Sequence, residues 1–490
     1  MKAALVVWSL ALFAATFALH SRHRDFPWYY HPDEGGKIEQ VLTAQWNFNH
    51  PMLLLRTAKL ALDATGAARD PQSVVEIGRA VSAAFTAIAV VAFSLFAFRW
   101  RGWTAAIAAG GALMLHHQLF ELSHYMKEDS ALLCGLGLAL LALGRFEEKP
   151  TLANAALMGA ASALAISGKY IGAIVLLATG PTLMKAGGGQ RRIAFFAGLI
   201  VVLLAVNWPL ISDFHTFQTS FSRETTFVVE GQKGSTRSVP HAQYWNIFID
   251  NTTPAVWLLI VLFLAARWGG WHAVTLTRWH IVAFPFVYAL ALSFSPKSND
   301  RYFLPATAVF TLLAALGVPD VARLFGRKWT ACLAAAILIC AQVPSFVRYQ
   351  RAFRRDDSRA LQAWCRDSLP ADAVIAKDSR IWLPDLEKPG RVPADAIPQR
   401  TVPAKYAADL GPLDDLRAKG ITHVAVSSSD YGRYFLKSLQ PRTGQEKDFA
   451  RRRAFYETLF REGKLLFEKE RGTVIYLHPG IRVYAIGEGG

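Results

Sequence analysis

Two adjacent carboxylates, Asp33 and Glu34, follow the first apolar stretch of the chain in the sequence HPDEGGKIEQ, residues 31–40. A proline precedes the pair and two glycines follow it, which places the pair at the start of a predicted helix. A helix N-terminus stabilises negative charge by about 0.3–1 kcal/mol, so a carboxylate there stays ionised and can accept a proton as a general base. The alternative is that Asp33 only caps the helix and Glu34 is solvated.

A third carboxylate, Asp129, ends a short polar segment between two apolar runs, in the sequence FELSHYMKEDSALL at residues 120–133. We expect it to line the same cavity as the acidic pair, where it would orient an acceptor or hold a cation. The alternative is again a helix cap. His124 and Lys127 are candidate partners for a phosphate group, and Tyr125 is a candidate cavity residue.

Three cations stand at the predicted outer ends of apolar runs: Lys169, Lys297 and Arg301. Ionisable side chains at membrane depth are costly and are usually paired or functional, and a guanidinium presents a planar fork that suits phosphate oxygens. These residues predict a phosphate site, with Tyr302 as a further cavity residue. Snorkelling to the interface and ordinary interfacial anchoring are the alternatives.

Two histidines, His31 and His50, each precede a proline near the predicted membrane surface. With Asp33 or Asp129 they could hold a divalent metal, but two His and two Asp at unrelated spacing are a weak signal. The four cysteines show neither metal spacing nor a disulfide framework. We therefore treat both histidines as cavity residues, assign no metal ligands, and leave a divalent metal open.

Apolar helices must position these groups. Of the 490 residues, 52% are hydrophobic and 18% are charged, whereas soluble domains carry about 25% charged residues. Apolar runs of about 15–20 residues, long enough to cross a hydrocarbon core as a helix, recur over the first 345 positions and then stop. We predict about eleven transmembrane helices, in a polytopic α-helical membrane protein. They are expected near residues 3–20, 80–98, 104–120, 130–145, 152–167, 171–185, 193–211, 252–267, 279–294, 302–318 and 329–345.

Charge predicts the orientation. Lys and Arg outnumber Asp and Glu by 53 to 37, for a net charge of +16. Short cationic loops such as RWRGW, KAGGGQRR and ARLFGRK are typical of the cytoplasmic side, and such loops face anionic lipid, so no nucleic-acid partner is expected. The longer segments, including the acidic loop at 21–78 and everything after residue 345, then face outward.

Two domains are predicted. Residues 1–345 form the transmembrane domain, in which KIEQVLTAQW and PMLLLRTAKLALDA read as amphipathic helices at the interface or as a loop packed on the spans. Residues 346–490 are expected to form a small α/β domain, because short β-rich runs alternate with helical ones. The helices are RYQRAFRRDDSRALQAWCRDSLP, DLRAKG and RRRAFYETLFREG; the strands are AVIAKD, THVAVSSSD, GTVIYLHP and IRVYAI.

The order of these motifs resembles the GT-C glycosyltransferases of family 39, which include the protein O-mannosyltransferases and the aminoarabinose transferase of lipid A. After the acidic pair, NHPM at residues 49–52 is similar to an HPP-L element, and the run GRAVSAAFTAIAV carries Arg79 at its start. SHYMKEDS at 123–130 resembles the mannosyltransferase pattern S-R-Y-x-L-L-D-S, and RYFLP at 301–305 resembles a late R-Y-x-L-P. The chain departs from the family at His124, where mannosyltransferases carry arginine, and at Met52, where the family often has a second proline.

The resemblance implies a GT-C enzyme that takes a sugar from a polyprenyl phosphate. Asp33 would be the general base with Glu34 beside it, and Asp129 would be a second acidic position. The acceptor would be a lipid, a glycan or a protein, and membrane lipids would surround the spans. It also implies a multi-pass protein of the cell inner membrane with a periplasmic C-terminal domain. Direct displacement needs one base and would invert the anomeric centre, as in inverting glycosidases.

Two other functions fit the same composition. A transporter or flippase for a lipid-linked glycan also needs buried charge and many spans, although such proteins often carry internal repeats that we do not find here. A non-catalytic envelope assembly protein could use the C-terminal domain for binding, with the outer segment 212–251 either contacting a partner or covering a site.

Overall fold

A computed structural model of the chain describes residues 2–186, 188–230, 236–238, 250–268, 279–295, 300–384, 396–437 and 439–487. It divides into two compact units. The first comprises Met1–Val229 and Gln243–Val347, and the second comprises Glu230–Ala242 and Arg348–Gly490.

Helices build the first unit. They are α1 (Lys2–His20), α2 (Glu34–Thr43), α3 (Leu53–Thr65), α4 (Pro71–Arg101), α5 (Trp103–Met114), α6 (His117–Ser123), α7 (Glu128–Glu148), α8 (Leu152–Gly168), α9 (Leu176–Ala186), α10 (Gly189–Ser212), α11 (Phe214–Glu230), α12 (Pro254–Trp268), α13 (Trp279–Ser293), α14 (Leu304–Leu324) and α15 (Lys328–Cys340); α16 (Val343–Ala352) leads into the second unit.

Several of these helices have the length and composition of membrane spans. Within the described residues, six stretches are long and apolar enough to cross a membrane: Lys2–His20, Pro71–Arg101, Glu128–Glu148, Gly189–Ser212, Arg301–Leu324 and Lys328–Ser368. Shorter apolar helices cover Trp103–Met114, Leu152–Gly168, Tyr170–Ala186, Pro254–Ala266 and Trp279–Ser293. The prediction of a mostly helical membrane protein is therefore confirmed, and the number of spans remains a prediction.

Two expected boundaries are wrong. The run predicted at 104–120 is divided, because α5 ends at Met114 and the His116 side chain accepts a hydrogen bond from the Gln118 backbone N–H at the start of α6. The helix predicted at 80–98 starts at Pro71, where the Asp70 carboxylate caps the helix. Asp-Pro is a start signal that lies outside the apolar run, so hydropathy alone did not find it.

Glycines let three helices of the first unit approach closely. α8 packs against both α7 and α10. A Cβ atom at Gly159 of α8 would lie 1.9 Å from the Phe195 carbonyl oxygen of α10, and one at Gly135 of α7 would lie 2.1 Å from the Ala165 backbone nitrogen of α8. Small residues at such crossings allow backbone contact between membrane helices. This packing fixes the N-terminus of α7 relative to the C-terminus of α8.

We expect Gly159→Ala to destabilise the first unit by about 1–3 kcal/mol, because the added methyl group overlaps a backbone carbonyl that cannot move alone. Thermal unfolding in detergent measures the effect. Gly189→Ala, on the first residue of α10, is the matched control, since its Cβ would meet nothing within 4 Å. Equal unfolding temperatures for the two variants would contradict the proposed close crossing.

The second unit contains a five-stranded sheet in the order β3-β2-β4-β7-β6. Its strands are β2 (Val374–Lys377), β3 (Arg400–Pro403), β4 (His423–Ser427), β6 (Lys464–Lys469) and β7 (Ile481–Ala485), and β1 (Thr236–Ser238) pairs separately with β5 (Leu439–Pro441). β2 runs parallel to both of its neighbours, whereas β7 is antiparallel to β4 and β6. The helices α17 (Asp357–Ser368), α18 (Leu413–Ala418) and α19 (Glu446–Glu462) accompany the sheet.

Three predictions for this unit are wrong in detail. GTVIYLHP forms a turn and no strand, in which the backbone N–H of Leu477 donates to the carbonyl of Val474 at 3.1 Å. The single helix predicted from RYQRAFRRDDSRALQAWCRDSLP is two helices, because Asp356 caps a new one at the Arg359 backbone N–H. β3 and β6 were not predicted, since neither carries an alternating apolar pattern and β6 is exposed at both ends.

Candidate functional site

The N-termini of α2 and α7 bring a carboxylate and an ammonium group together. Asp33 is the N-cap residue of α2, and Lys127 is the N-cap residue of α7. The Lys127 ammonium donates a hydrogen bond to the Asp33 carboxylate. The Lys127 side chain is only 2% exposed and that of Asp33 is 46% exposed, so the buried cation holds a carboxylate that solvent or a substrate can reach.

Charge strongly perturbs this pair. Burial raises the pKa of Asp33, but the charge of Lys127, its hydrogen bond to the carboxylate and the charges of His31 and Lys37 together outweigh burial and move that pKa far below its usual range. Burial, together with the charges of Arg301 and Lys37, lowers the pKa of Lys127 to about 7. Arg301 Nη1 lies 3.9 Å from the same carboxylate oxygen. Asp33 is therefore ionised but a weak proton acceptor while Lys127 keeps its charge.

A second ion pair joins Asp129, in the first turn of α7, to Lys169, the residue after α8. The Lys169 Nζ lies 2.7 Å from Asp129 Oδ1, and the Asp129 side chain is buried. The Tyr302 ring is close to two cations, with Lys169 Nζ at 4.9 Å and Arg301 Cζ at 5.3 Å from its centroid. The structure thus brings together four residues that the sequence singled out.

A third pair was missed by the sequence reasoning. Lys37 Nζ lies 2.6 Å from Glu128 Oε1 and also donates to the Met126 carbonyl at 2.8 Å. His50 Nε2 lies 3.9 Å from the other oxygen of Glu128. Sequence position could have indicated this pair. Lys37 lies one helical turn after Asp33, and Glu128 lies next to Asp129, which the sequence had already singled out.

Glu34 forms a buried two-point ion pair with Arg79. Arg79 Nε and Nη2 donate to its two oxygens at 3.0 and 2.6 Å, and both side chains are completely buried. Glu34 also accepts from the Met126 backbone N–H at 2.8 Å, while Arg79 Nη1 donates to the carbonyls of Arg24 and Phe26. We infer that Glu34 positions Asp33, because both of its oxygens are engaged.

The remaining predicted residues differ in their placement. His124 lies between the carbonyls of Phe120 and Arg22, and burial lowers its pKa to about 3. A neutral imidazole has a single N–H, so His124 supplies no cation. His31 is buried with its ring 4.8 Å from that of Tyr125. Lys297 lies outside the described residues.

We call the group of paired side chains the charge cluster. Within the described ranges it holds four cations and three carboxylates, and so carries one positive charge in excess when Lys127 is protonated and His50 is neutral. Its members are Lys37, Lys127, Lys169, Arg301, Asp33, Glu128, Asp129 and His50. Across the part of the chain that the structure describes, no three or more His, Cys, Asp or Glu side chains group as metal ligands.

An apolar cavity of about 230 Å³ is lined in part by residues that directly follow two members of the charge cluster in the sequence. Its wall includes Pro51 and Tyr170, which follow His50 and Lys169 directly. The Tyr170 hydroxyl donates to the Phe48 carbonyl at 2.9 Å. This bond connects the segment that follows α8 to the segment that contains His50. The other lining residues are Ile166, Leu203, Leu204, Asn207, Leu210, Ile211, Phe214 and Phe217.

The fold has solved counterparts. Crystal structures of ArnT from Cupriavidus metallidurans are similar to this chain with a TM-score of 0.52. The form bound to undecaprenyl phosphate is 13% identical, over 100% of this chain and 98% of that one. The chain has a GT-C-like fold. The apo form of ArnT is 14% identical, over 99% of this chain and 98% of that one. Neither protein-family models nor curated protein sequences give a match. The GT-C resemblance is therefore confirmed at the level of the fold.

We expect Arg79→Met to destabilise the first unit by about 3–5 kcal/mol, because it leaves the Glu34 carboxylate buried and unpaired. The double variant Glu34→Gln with Arg79→Met should recover part of this loss, since neither charge of this pair then remains buried. Lys59→Gln, which breaks the exposed pair with Asp63, is the control and should change stability by about 0–1 kcal/mol. Thermal unfolding of the purified chains measures these changes in stability. A loss of stability as small as that of Lys59→Gln in Arg79→Met would contradict a structural role for the ion pair between Glu34 and Arg79.

Proposed function

We propose that this chain is an integral-membrane glycosyltransferase that moves a sugar from a polyprenyl phosphate to an acceptor at the periplasmic face. The observation that carries the proposal is the convergence of Asp33 with Lys127, Lys169 and Arg301 in one cluster on a GT-C-like fold. The same proposal gives the chain about eleven spans in the inner membrane, with residues 1–345 as the catalytic part and a periplasmic α/β domain at 346–490.

In this proposal, the donor phosphate binds next to three cations of the charge cluster. Lys127, Lys169 and Arg301 supply ammonium and guanidinium donors, and a partly dry site strengthens their attraction for a phosphate that gains charge as it leaves. The apolar cavity beside Tyr170 suits the first isoprene units of the lipid. The fold shared with ArnT, which has been crystallised with undecaprenyl phosphate, supports this class of donor.

The reaction is a single displacement. The acceptor hydroxyl gives its proton to Asp33, its oxygen bonds to the anomeric carbon, and the bond from that carbon to the phosphate oxygen breaks. The electron pair leaves with the polyprenyl phosphate, whose new charge the cations neutralise. Attack from the face opposite the phosphate inverts the anomeric centre, and no covalent sugar–enzyme intermediate forms. Asp129, His31, His50, Tyr125 and Tyr302 are assigned to acceptor orientation and the cavity wall.

Donor binding and base strength are coupled in this scheme. Lys127 lowers the pKa of Asp33 while the two side chains are paired, and a carboxylate of such low pKa accepts a proton poorly. A donor phosphate competes with Asp33 for Lys127. Asp33 then regains basicity only when the sugar is in place, which restricts proton removal to the loaded site.

We expect Asp33→Asn to lower transfer by about 10²–10⁴-fold while the protein remains folded and binds the lipid-linked sugar. A purified transfer assay with thermal unfolding measures both. Asp63→Asn, at an exposed ion pair far along α3, is the matched control and should transfer normally. Full activity of Asp33→Asn would reject Asp33 as the base, and movement of the lipid-linked sugar without any acceptor product would favour the flippase.

The pH profile tests Lys127. Because its pKa is about 7, we expect kcat/KM for the donor to fall as pH rises through that value, when the ammonium loses its charge. The donor is a phosphodiester and does not titrate in this range. Lys127→Arg keeps its charge at every working pH, so the alkaline limb should disappear. An unchanged limb in Lys127→Arg would assign the titration to another group.

A further inference from the structure

The carboxyl ends of the parallel strands in the second unit carry a cluster that the glycosyltransferase reaction does not use. β2, β3 and β4 end at one edge of the sheet, since they run in the same direction. In open α/β sheets, ligands bind outside the carboxyl ends of such strands. The segment after each strand supplies one cation: Arg380 after β2, Lys405 after β3, and Arg433 after β4.

A buried carboxylate joins the three segments. Asp378, the residue after β2, accepts from the Ala407 backbone N–H at 2.7 Å and from the Ser427 backbone N–H at 2.9 Å. The Tyr456 hydroxyl donates to it at 3.0 Å. These bonds connect the ends of β2 and β4 to the segment after β3, so the three cations stand on a rigid frame.

A second buried carboxylate, Asp430, orients two of the cations. Its Oδ1 lies 3.3 Å from Arg380 Nε and 3.9 Å from Arg433 Nη2. Arg433 Cζ and Lys405 Nζ each lie 5.5 Å from the centroid of the Tyr406 ring. Both side chains remain partly exposed, at 30% for Arg380 and 26% for Arg433. The pairing thus fixes the arginines and leaves part of each side chain accessible.

Charge at this edge is unbalanced. Burial, reinforced by Asp430, raises the pKa of Asp378, and burial also raises the pKa of Asp430. Three cations therefore lie with two carboxylates whose charged forms are disfavoured by burial. In addition, Arg380 Nη1 is buried and has no hydrogen-bond acceptor among the described residues. A guanidinium nitrogen of this kind lacks the oxyanion that normally satisfies it.

We propose that the carboxyl edge of β2, β3 and β4 is an anion-binding site formed by Arg380, Lys405 and Arg433, which takes a phosphate or carboxylate group. Arginine forks suit both groups, because each offers two oxygens in one plane to two parallel N–H donors. The site stands whether or not the first unit transfers a sugar. If it does, and this clause rests on the proposed function, the site would hold an acidic acceptor.

The test is a binding titration of the full chain in detergent with three probes: inorganic phosphate, glucuronate and neutral glucose. Phosphate or glucuronate should bind and glucose should not, and the tighter of the first two identifies the preferred group. Arg380→Gln and Arg433→Gln should each weaken binding by at least about tenfold, as expected for loss of a charge-assisted bond. Arg453→Gln, at an exposed ion pair with Glu457, should bind as the unaltered chain does.

Two further variants keep the result decisive. Lys169→Gln removes a cation of the first unit, so binding that persists in it and is lost in Arg380→Gln belongs to the second unit. Lys405 is exposed, so Lys405→Gln leaves the buried frame intact and weakens binding even if the arginine variants misfold. Unchanged binding in folded Arg380→Gln and in Lys405→Gln, or complete loss of binding in Lys169→Gln alone, would overturn the proposal.

Discussion

The buried ion pair between Glu34 and Arg79 is the contact on which the site depends. Burying two charges costs several kcal/mol per ion unless the geometry is good and the remaining hydrogen-bonding groups are satisfied. Here both oxygens of Glu34 and the guanidinium fork are engaged, and Glu34 also bonds the backbone of Met126. Asp33 and Lys127 are the chain neighbours of Glu34 and Met126. Fixing Glu34 against Arg79 and Met126 therefore places Asp33 and Lys127 within hydrogen-bonding distance of each other.

The electrostatics of the charge cluster follow from that placement. The N-terminus of α7 and its buried surroundings put Lys127 among other cations. In the proposed mechanism, the donor phosphate displaces Asp33 from Lys127, so that a single exchange of partners neutralises the leaving phosphate and frees Asp33 to act as the base. The strength of these charge interactions depends on close packing, because the same charges in water would be screened.

The second unit uses buried carboxylates in the same manner. Asp378 joins the ends of three strand segments through backbone and hydroxyl donors, while Asp430 aims two arginines at one edge of the sheet. In both units an acid that is buried and fully bonded organises exposed or reactive neighbours. The chemistry assigned to each unit is therefore held by polar contacts between segments, on frames built from apolar helices or from a sheet.

The sequence by itself determined where the apolar helices lie and that α2 begins beside Asp33, since hydropathy, proline and glycine act over a few neighbouring residues. Its motif order also indicated the GT-C-like fold. Only the tertiary structure decided which charges meet: Glu34 with Arg79, 45 positions apart, and Asp33 with Lys127, 94 positions apart. No local pattern encodes such pairs, because helix packing brings them together and burial sets the strength of their interaction.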